Sequence, residues 1–191
     1  MHQLREKQKY YDEKDKLILE LFRTNPQAAF RLLFDTYYMS LCLYAVQLTD
    51  SFIMAEDIVQ DFFISFWEKK TYQNIAVKLR SYLFYSIRNN SYLLLKRNNL
   101  ISMEEIFDTE IDVTESISDE EELLEKERKI MEDLEKLPKQ ELSVVQAVIL
   151  ENKKYKEAAE ELHISVNTLK THLSRALKRL RKSNSSIYLL L

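Results

Sequence analysis

The sequence predicts an all-α protein built as two small helical domains joined by an acidic linker. Three observations predict it. The 191 residues contain no glycine, and proline occurs only at Pro26 and Pro138. Apolar residues recur at steps of three and four through most of the chain, the signature of one-faced helices. Charge is segregated: Lys69 to Met103 holds seven Lys/Arg and no acid, Met103 to Glu127 holds twelve Asp/Glu against one Lys, and His163 to Lys182 holds six Lys/Arg and no acid. Tight β-hairpins and phosphate-cradling loops both need glycine where φ is positive, so all-β folds and nucleotide-binding enzymes are disfavoured.

The elements follow in order. A short helix is expected around Leu17 to Phe22 within an N-terminal extension, 1–24. Asn25-Pro26 then reads as a helix start, because Asn caps free backbone N–H groups and Pro suits a first position whose N–H has no partner. Ala29, Phe30, Leu33, Phe34, Tyr37, Leu41, Tyr44 and Leu48 form one apolar face behind it. Thr49 to Ser51 gives a break and a new cap. The next helix, Phe52 to Lys69, turns Ala55, Ile58, Val59, Phe62, Phe63, Phe66 and Trp67 inward. After a polar loop near Thr71 to Ile75, a third long helix runs from Val77 to Arg97 with Leu79, Leu83, Ile87 and Leu94 on its core side. These make the first domain, 25–98.

The stretch 99–120 loses helical spacing and reads as an irregular acidic linker, with a short turn near Met103 to Phe107. Spacing resumes at Glu121 with Leu123, Leu124, Ile130, Met131, Leu134 and Leu137, and Pro138 ends or interrupts that helix. Another follows from Gln140 with Leu142, Val145, Val148 and Ile149. The second domain, 121–183, closes on Tyr155 to Arg181. There a helix bearing Ala158, Ala159 and Leu162 is followed by a turn with Ile164 as apolar plug and Ser165 as N-cap. The last helix buries Val166, Leu169, Leu173, Ala176, Leu177 and Leu180. Its opposite face carries Asn167, Lys170, Thr171, Ser174, Arg175 and Lys178, donors without an acid, which suits the major groove of DNA. The alternative is an amphipathic hairpin with a solvated basic face. The apolar tail, 184–191, is unassigned.

One cysteine, Cys42, excludes an internal disulfide and reads as a buried, inert thiol. The charged N-terminus has no apolar core, and no apolar run is long enough to span a bilayer, so a cytoplasmic protein is expected. No nucleophile–base pair and no metal-ligand spacing is present, so no enzyme activity, cofactor, metal or small-molecule substrate is expected. His172 reads as a surface residue.

The C-terminal half resembles the promoter-reading fourth domain of bacterial sigma factors of the extracytoplasmic-function group. The residues concerned are Leu137-Pro138, Tyr155-Lys156-Glu157-Ala158-Ala159, Ile164-Ser165, Thr168-Leu169-Lys170 and Arg175-Ala176-Leu177-Lys178-Arg179-Leu180-Arg181. His163 departs from it, since the family usually has Gly there. Ala55-Glu56-Asp57-Ile58-Val59-Gln60-Asp61-Phe62-Phe63 with Phe66-Trp67 resembles the second-domain helix of the same family. Ser81-Tyr82-Leu83-Phe84, Ile87-Arg88-Asn89 and Lys96-Arg97 extend the likeness, which covers Ala28 to Arg97 and Leu123 to Lys182.

The resemblance implies that Asp57, Gln60 and Asp61, which share one helix face, grip the beta-prime clamp of core RNA polymerase. It implies that the third helix melts and captures the promoter −10 element. For this, Asn89 would supply a pocket amide, Tyr72, Tyr82 and Tyr85 stacking faces, and Lys78, Arg80 and Arg88 phosphate contacts. Each tyrosine taken singly reads as core before it reads as a stacking surface. The last helix, with Asn167, Thr168, Lys170, Thr171, Ser174, Arg175 and Lys178, would read the −35 element while its domain touches the beta flap. An anti-sigma factor is a further partner such proteins often have. Two other functions compete: a stand-alone helix-turn-helix regulator, which binds duplex without polymerase, and a helical interaction module, which binds no DNA.

Overall fold

The computed structural model describes residues 3–75, 78–98 and 120–183. The expected linker up to residue 119, with its turn near Met103 to Phe107, lies outside the described residues. So do the tail 184–191, Val77, and the side chains of Leu123 and Leu124. All regular structure among the described residues is helical: α1 Gln3–Thr24, α2 Pro26–Thr49, α3 Phe52–Glu68, a 3-10 turn Thr71–Asn74, α4 Leu79–Arg97, α5 Glu120–Glu135, α6 Lys139–Val145 continuing as a π turn Gln146–Leu150, α7 Tyr155–Glu161 and α8 Val166–Lys182.

Helix starts follow the capping residues. The Asn25 side chain accepts from the Ala28 N–H at 3.1 Å, Ser51 from Met54 at 3.3 Å and Ser165 from Thr168 at 3.0 Å. Each satisfies a donor that the first turn leaves unpaired. Helix ends pose the opposite problem, because a left-handed residue usually closes them and glycine is absent. Asp50, Lys70, Asn152 and His163 take φ between 51 and 56° instead. At His163 the result is a Schellman motif: the His163 N–H bonds the Glu160 carbonyl, and the Ile164 N–H bonds the Ala159 carbonyl at 3.0 Å. Ile164 then packs on the core, so the turn of the helix-turn-helix is closed by its apolar plug.

Helices α1 to α4 form one bundle around α2. The first helix departs from expectation. It is 22 residues long and not a short piece near Leu17, and it belongs to the bundle core through Tyr11, Ile18 and Phe22, each no more than 7% exposed. These residues are separated by two turns and one turn, with charged residues between them, so the apolar spacing is too sparse to read. Leu94 is half-buried, while Leu95 takes the inward place. Trp67 is also half-buried, its ring 5.0 Å from Phe30. In the second half α6, α7 and α8 pack together, with Leu169, Leu173, Ala176 and Leu177 wholly buried. Val166, expected inward, is 36% exposed. It stands first after the cap, and Leu169 is the first side chain of α8 to reach the core.

A polar cluster lies inside the first bundle. Asp15 accepts a hydrogen bond from the Tyr37 hydroxyl and another from the Arg80 backbone N–H at 3.2 Å. The Arg80 guanidinium lies over the Tyr11 ring at 4.3 Å and the Phe84 ring at 5.1 Å, and Tyr11 stacks on Tyr37 at 5.4 Å. Burial raises the Asp15 carboxyl above its ordinary value, against the opposing pull of these donors. Burial, followed by the Asp15 carboxylate, drives the Tyr37 phenol far up.

Two outcomes follow. The folded chain holds the Asp15 proton more tightly than the unfolded chain, so this group stabilises the fold most at low pH. That contribution is lost as pH rises from 3.8 through the raised folded value. In urea unfolding, the unsubstituted protein should therefore lose stability relative to Asp15→Asn as pH climbs through this window; a pH-independent difference contradicts it. His163→Gly removes the left-handed penalty and should raise stability by about 0.5–1 kcal/mol. A fall in midpoint would show that the His side chain contributes more than its backbone costs.

Candidate nucleic-acid and partner interfaces

Three surfaces carry the residues singled out from the sequence. On α3 the inward set Ala55, Ile58, Val59, Phe62, Phe63 and Phe66 is buried. This orients the opposite side, and Asp57, Gln60 and Asp61 are all exposed. Gln60 reaches the Tyr38 hydroxyl at 3.5 Å. Ile64, one turn on from Gln60 and Asp61, is 56% exposed on the same face; the sequence reading did not mark it. The ridge thus combines carboxylates, an amide and an apolar side chain, a composition suited to a basic helical partner with aliphatic stems.

On α4 the expected set divides. Lys78, Tyr82, Tyr85 and Asn89 recur at steps of four, three and four, which puts them on one side of the helix. Lys78 and Tyr85 are exposed, and Tyr82 and Asn89 are half-buried. The Tyr82 ring leans on Phe62 and Phe66 at 6.4 and 6.2 Å. Tyr85, 49% exposed, is the most open of the three tyrosines. Tyr72 stands apart in the 3-10 turn, stacked on Phe22 at 4.4 Å, so one of its faces is occupied by α1. Arg80 shares the inner side with Phe84, Ile87 and Ser91, and its guanidinium lies between rings instead of in solvent. Arg88 lies over Tyr92 at 5.4 Å. The structure therefore gathers Lys78, Tyr82, Tyr85 and Asn89 on one side of α4 and turns Arg80 inward, while Tyr72 and Tyr82 both rest on Phe66, at 6.0 and 6.2 Å.

On α8 the buried stripe turns Asn167, Thr168, Thr171, Arg175 and Lys178 to the exposed side, while Lys170 and Ser174 are half-buried. The Thr171 hydroxyl donates to the Asn167 carbonyl at 2.9 Å and the Thr168 hydroxyl pairs with Ser165 at 2.8 Å, which fixes both near the helix start. Arg179 points away from this face and pairs with the buried Glu141 of α6 at 3.1 Å. Lys170 is not free: its Nζ lies 2.5 Å from Glu56 of α3. Sequence reasoning missed this contact, because nothing in the pattern of Glu56 distinguishes it from the acids beside it.

Cys42 is buried, and burial pushes its thiol up to about 12, so it stays protonated at neutral pH. Among the described residues no group of His, Cys, Asp and Glu could hold a metal ion, and no helix is long and apolar enough to cross a membrane.

Two family models match the chain: sigma-70 region 2 over residues 33–100 and sigma-70 region 4 over residues 127–180. Together they take in well over half of its length. No curated protein sequence matches it. Among solved structures, the sigma factor RpoE from Bartonella quintana, crystallised with the anti-sigma factor NepR, is 19% identical. That match covers 81% of this chain and 94% of the other, with a TM-score of 0.31. With region 2 falling on α2 to α4 and region 4 on α5 to α8, the chain belongs to the sigma-70 family: it is a sigma factor, which works with core RNA polymerase on promoter DNA to direct transcription initiation.

Proposed function

We propose that this sigma factor is of the compact extracytoplasmic-function kind and acts as a binding adaptor, not a catalyst, in the cytoplasm. Its two matched regions would divide the work. Asp57, Gln60 and Asp61 on α3 would hold the beta-prime clamp, with Ile64 adding apolar contact. Lys78, Tyr82, Tyr85 and Asn89 on α4 would receive the melted −10 strand. Tyr85 would stack a base, Asn89 would hydrogen-bond one, and Lys78 would neutralise a phosphate. Arg88 would assist from the next position. Tyr72 and Arg80 would support this surface from within, given the rings that occupy them.

The observation that carries the DNA assignment is the outer face of α8. Asn167, Thr171 and Arg175 lie in solvent at helical spacing on a segment with no acid, so short donors can meet base edges and the guanidinium can meet a guanine or a phosphate. Thr168 at the helix start, with Lys170, Ser174 and Lys178 along the flank, would complete the −35 contacts, while the same domain meets the beta flap. The acidic segment between the two regions would pass through the channel that later carries RNA, where its carboxylates match a surface built for a polyanion. An anti-sigma factor would cover these same faces.

Arg175→Ala should weaken holoenzyme binding to promoter duplex by about 1–3 kcal/mol, read by footprinting of the upstream element; an unchanged footprint removes the residue from the interface. Reversing Asp57 and Asp61 to Lys should abolish pull-down of core polymerase with the helical circular dichroism spectrum intact. Assembly of the double variant would show that the clamp is held elsewhere.

A further inference from the structure

Helix α1 carries none of the residues assigned to polymerase or DNA, yet it packs on α2, on the 3-10 turn and on α4. Two of its side chains make specific contacts with the last two. The buried Phe22 ring stacks on Tyr72 at 4.4 Å, with the planes 10° apart. Asp15, also buried, accepts from the Arg80 backbone N–H at 3.2 Å. Arg80 is the second residue of α4, and Lys78, at the N-cap, makes no side-chain cap bond. Asp15 therefore meets a donor that the N-cap side chain of a helix ordinarily meets. Helices α2, α3 and α8 begin on acceptors of their own, Asn25, Ser51 and Ser165. Helix α4 takes its acceptor from a residue 65 positions earlier in the chain.

We propose that α1 positions the strand-binding side of α4, with Asp15 as the cap that the helix start lacks and Phe22 as the backing of the Tyr72 ring. This role rests on the assignment of Lys78, Tyr82, Tyr85 and Asn89 to the melted −10 strand.

A borrowed cap resolves a conflict at position 78. A cap must accept a hydrogen bond, which suits Ser, Thr, Asn or Asp. A phosphate contact needs a cation, and an ammonium has no acceptor. One side chain cannot do both. Lys78 is exposed and serves the phosphate. An Asp in its place would cap the helix but would set a carboxylate against the DNA backbone. Asp15 caps from inside the bundle instead, where it is buried. It is itself fixed there. The Tyr37 hydroxyl donates to its other oxygen, and the Tyr11 ring has Tyr37 at 5.4 Å and the Arg80 guanidinium at 4.3 Å. The first turn of α4 is thus held by α1 and α2 together. Lys78, Tyr82, Tyr85 and Asn89 share one side of that helix, so a shift of its start moves all four.

The test uses holoenzyme assembled from core polymerase and the full chain. Fluorescence anisotropy reads its binding to a labelled single strand bearing the −10 sequence of a promoter that the protein itself uses, taken from its mapped transcript starts. Asp15→Ala removes the acceptor and should weaken strand binding about tenfold, with core pull-down unchanged. Asp15→Asn should bring binding back to within about twofold, because the amide oxygen accepts from Arg80 while its NH2 donates to the Tyr37 oxygen. Ala45→Gly lowers the stability of α2 without removing a polar partner of α4, and should leave strand binding unchanged. A positioning role also predicts coupling: once Asn89→Ala has removed the amide, Asp15→Ala should cost less than in the unsubstituted chain. Unsubstituted affinity in Asp15→Ala, or an equal loss in Ala45→Gly, overturns positioning by α1. So do strictly additive losses in a chain where Asn89→Ala alone weakens binding. An Asp15→Asn variant as weak as Asp15→Ala overturns the capping role. If Asp15→Ala does not fold, Phe22→Leu, which keeps an apolar side chain but removes the ring behind Tyr72, carries the same expected loss and coupling. Should Tyr85→Ala and Asn89→Ala both leave strand binding unaltered, the assignment of α4 to the strand is what fails.

Discussion

The complete burial of the second half of α2 is the constraint on which the rest of this structure depends. A helix buried on one face needs one neighbour. A helix buried all round over two turns, as from Ser40 to Gln47, needs neighbours on every side. Helices α1, α3 and α4 supply most of them and α8 supplies another. Each neighbour thereby has its own inner stripe fixed, and with it the placement of its outer side: the acidic ridge of α3, the Lys78-to-Asn89 side of α4 and the donor face of α8. The position of these surfaces follows from what is packed beneath them.

The same constraint explains how the absence of glycine is tolerated. Among the described residues four chain reversals use a left-handed residue, and Asp50, Lys70, Asn152 and His163 fill them. Asn and Asp adopt this conformation at modest cost, whereas Lys and His pay more of it. The His163 reversal is offset by the two backbone hydrogen bonds of its Schellman motif and by Ile164 in the core, and that of Asp50 by its ion pairs with Lys178 and Arg181 of α8, at 3.0 and 3.2 Å. A chain without glycine therefore spends its strain at the corners where helices must meet closely.

Much of the fold was legible in the sequence because its signals are local. Capping by Asn25, Ser51 and Ser165 is decided within four residues, and the inward faces of α3 and α8 repeat often enough to be unmistakable. What escaped was non-local. The length of α1 rests on Tyr11, Ile18 and Phe22, which are too widely spaced to form a stripe until α2 and α4 are in place. The burial of Leu43 and Val46 around the far side of α2 depends on helices distant in sequence. For the surfaces, composition and spacing indicated α8 and the family resemblance indicated α3 and α4, but neither showed that Arg80 would be held over Tyr11, that Tyr72 would be stacked on Phe22, or that Lys170 would meet Glu56. Side-chain partners across the chain leave no imprint on the period of either helix.

A sigma factor must engage core RNA polymerase and promoter DNA together to place the start of transcription, the work proposed for the α3 ridge and the outer face of α8. The most direct measurement is to map transcript 5′ ends made on genomic DNA by core RNA polymerase with and without the purified chain. New, reproducible start points in the presence of the chain are predicted. An identical set of start points with and without it would contradict that role.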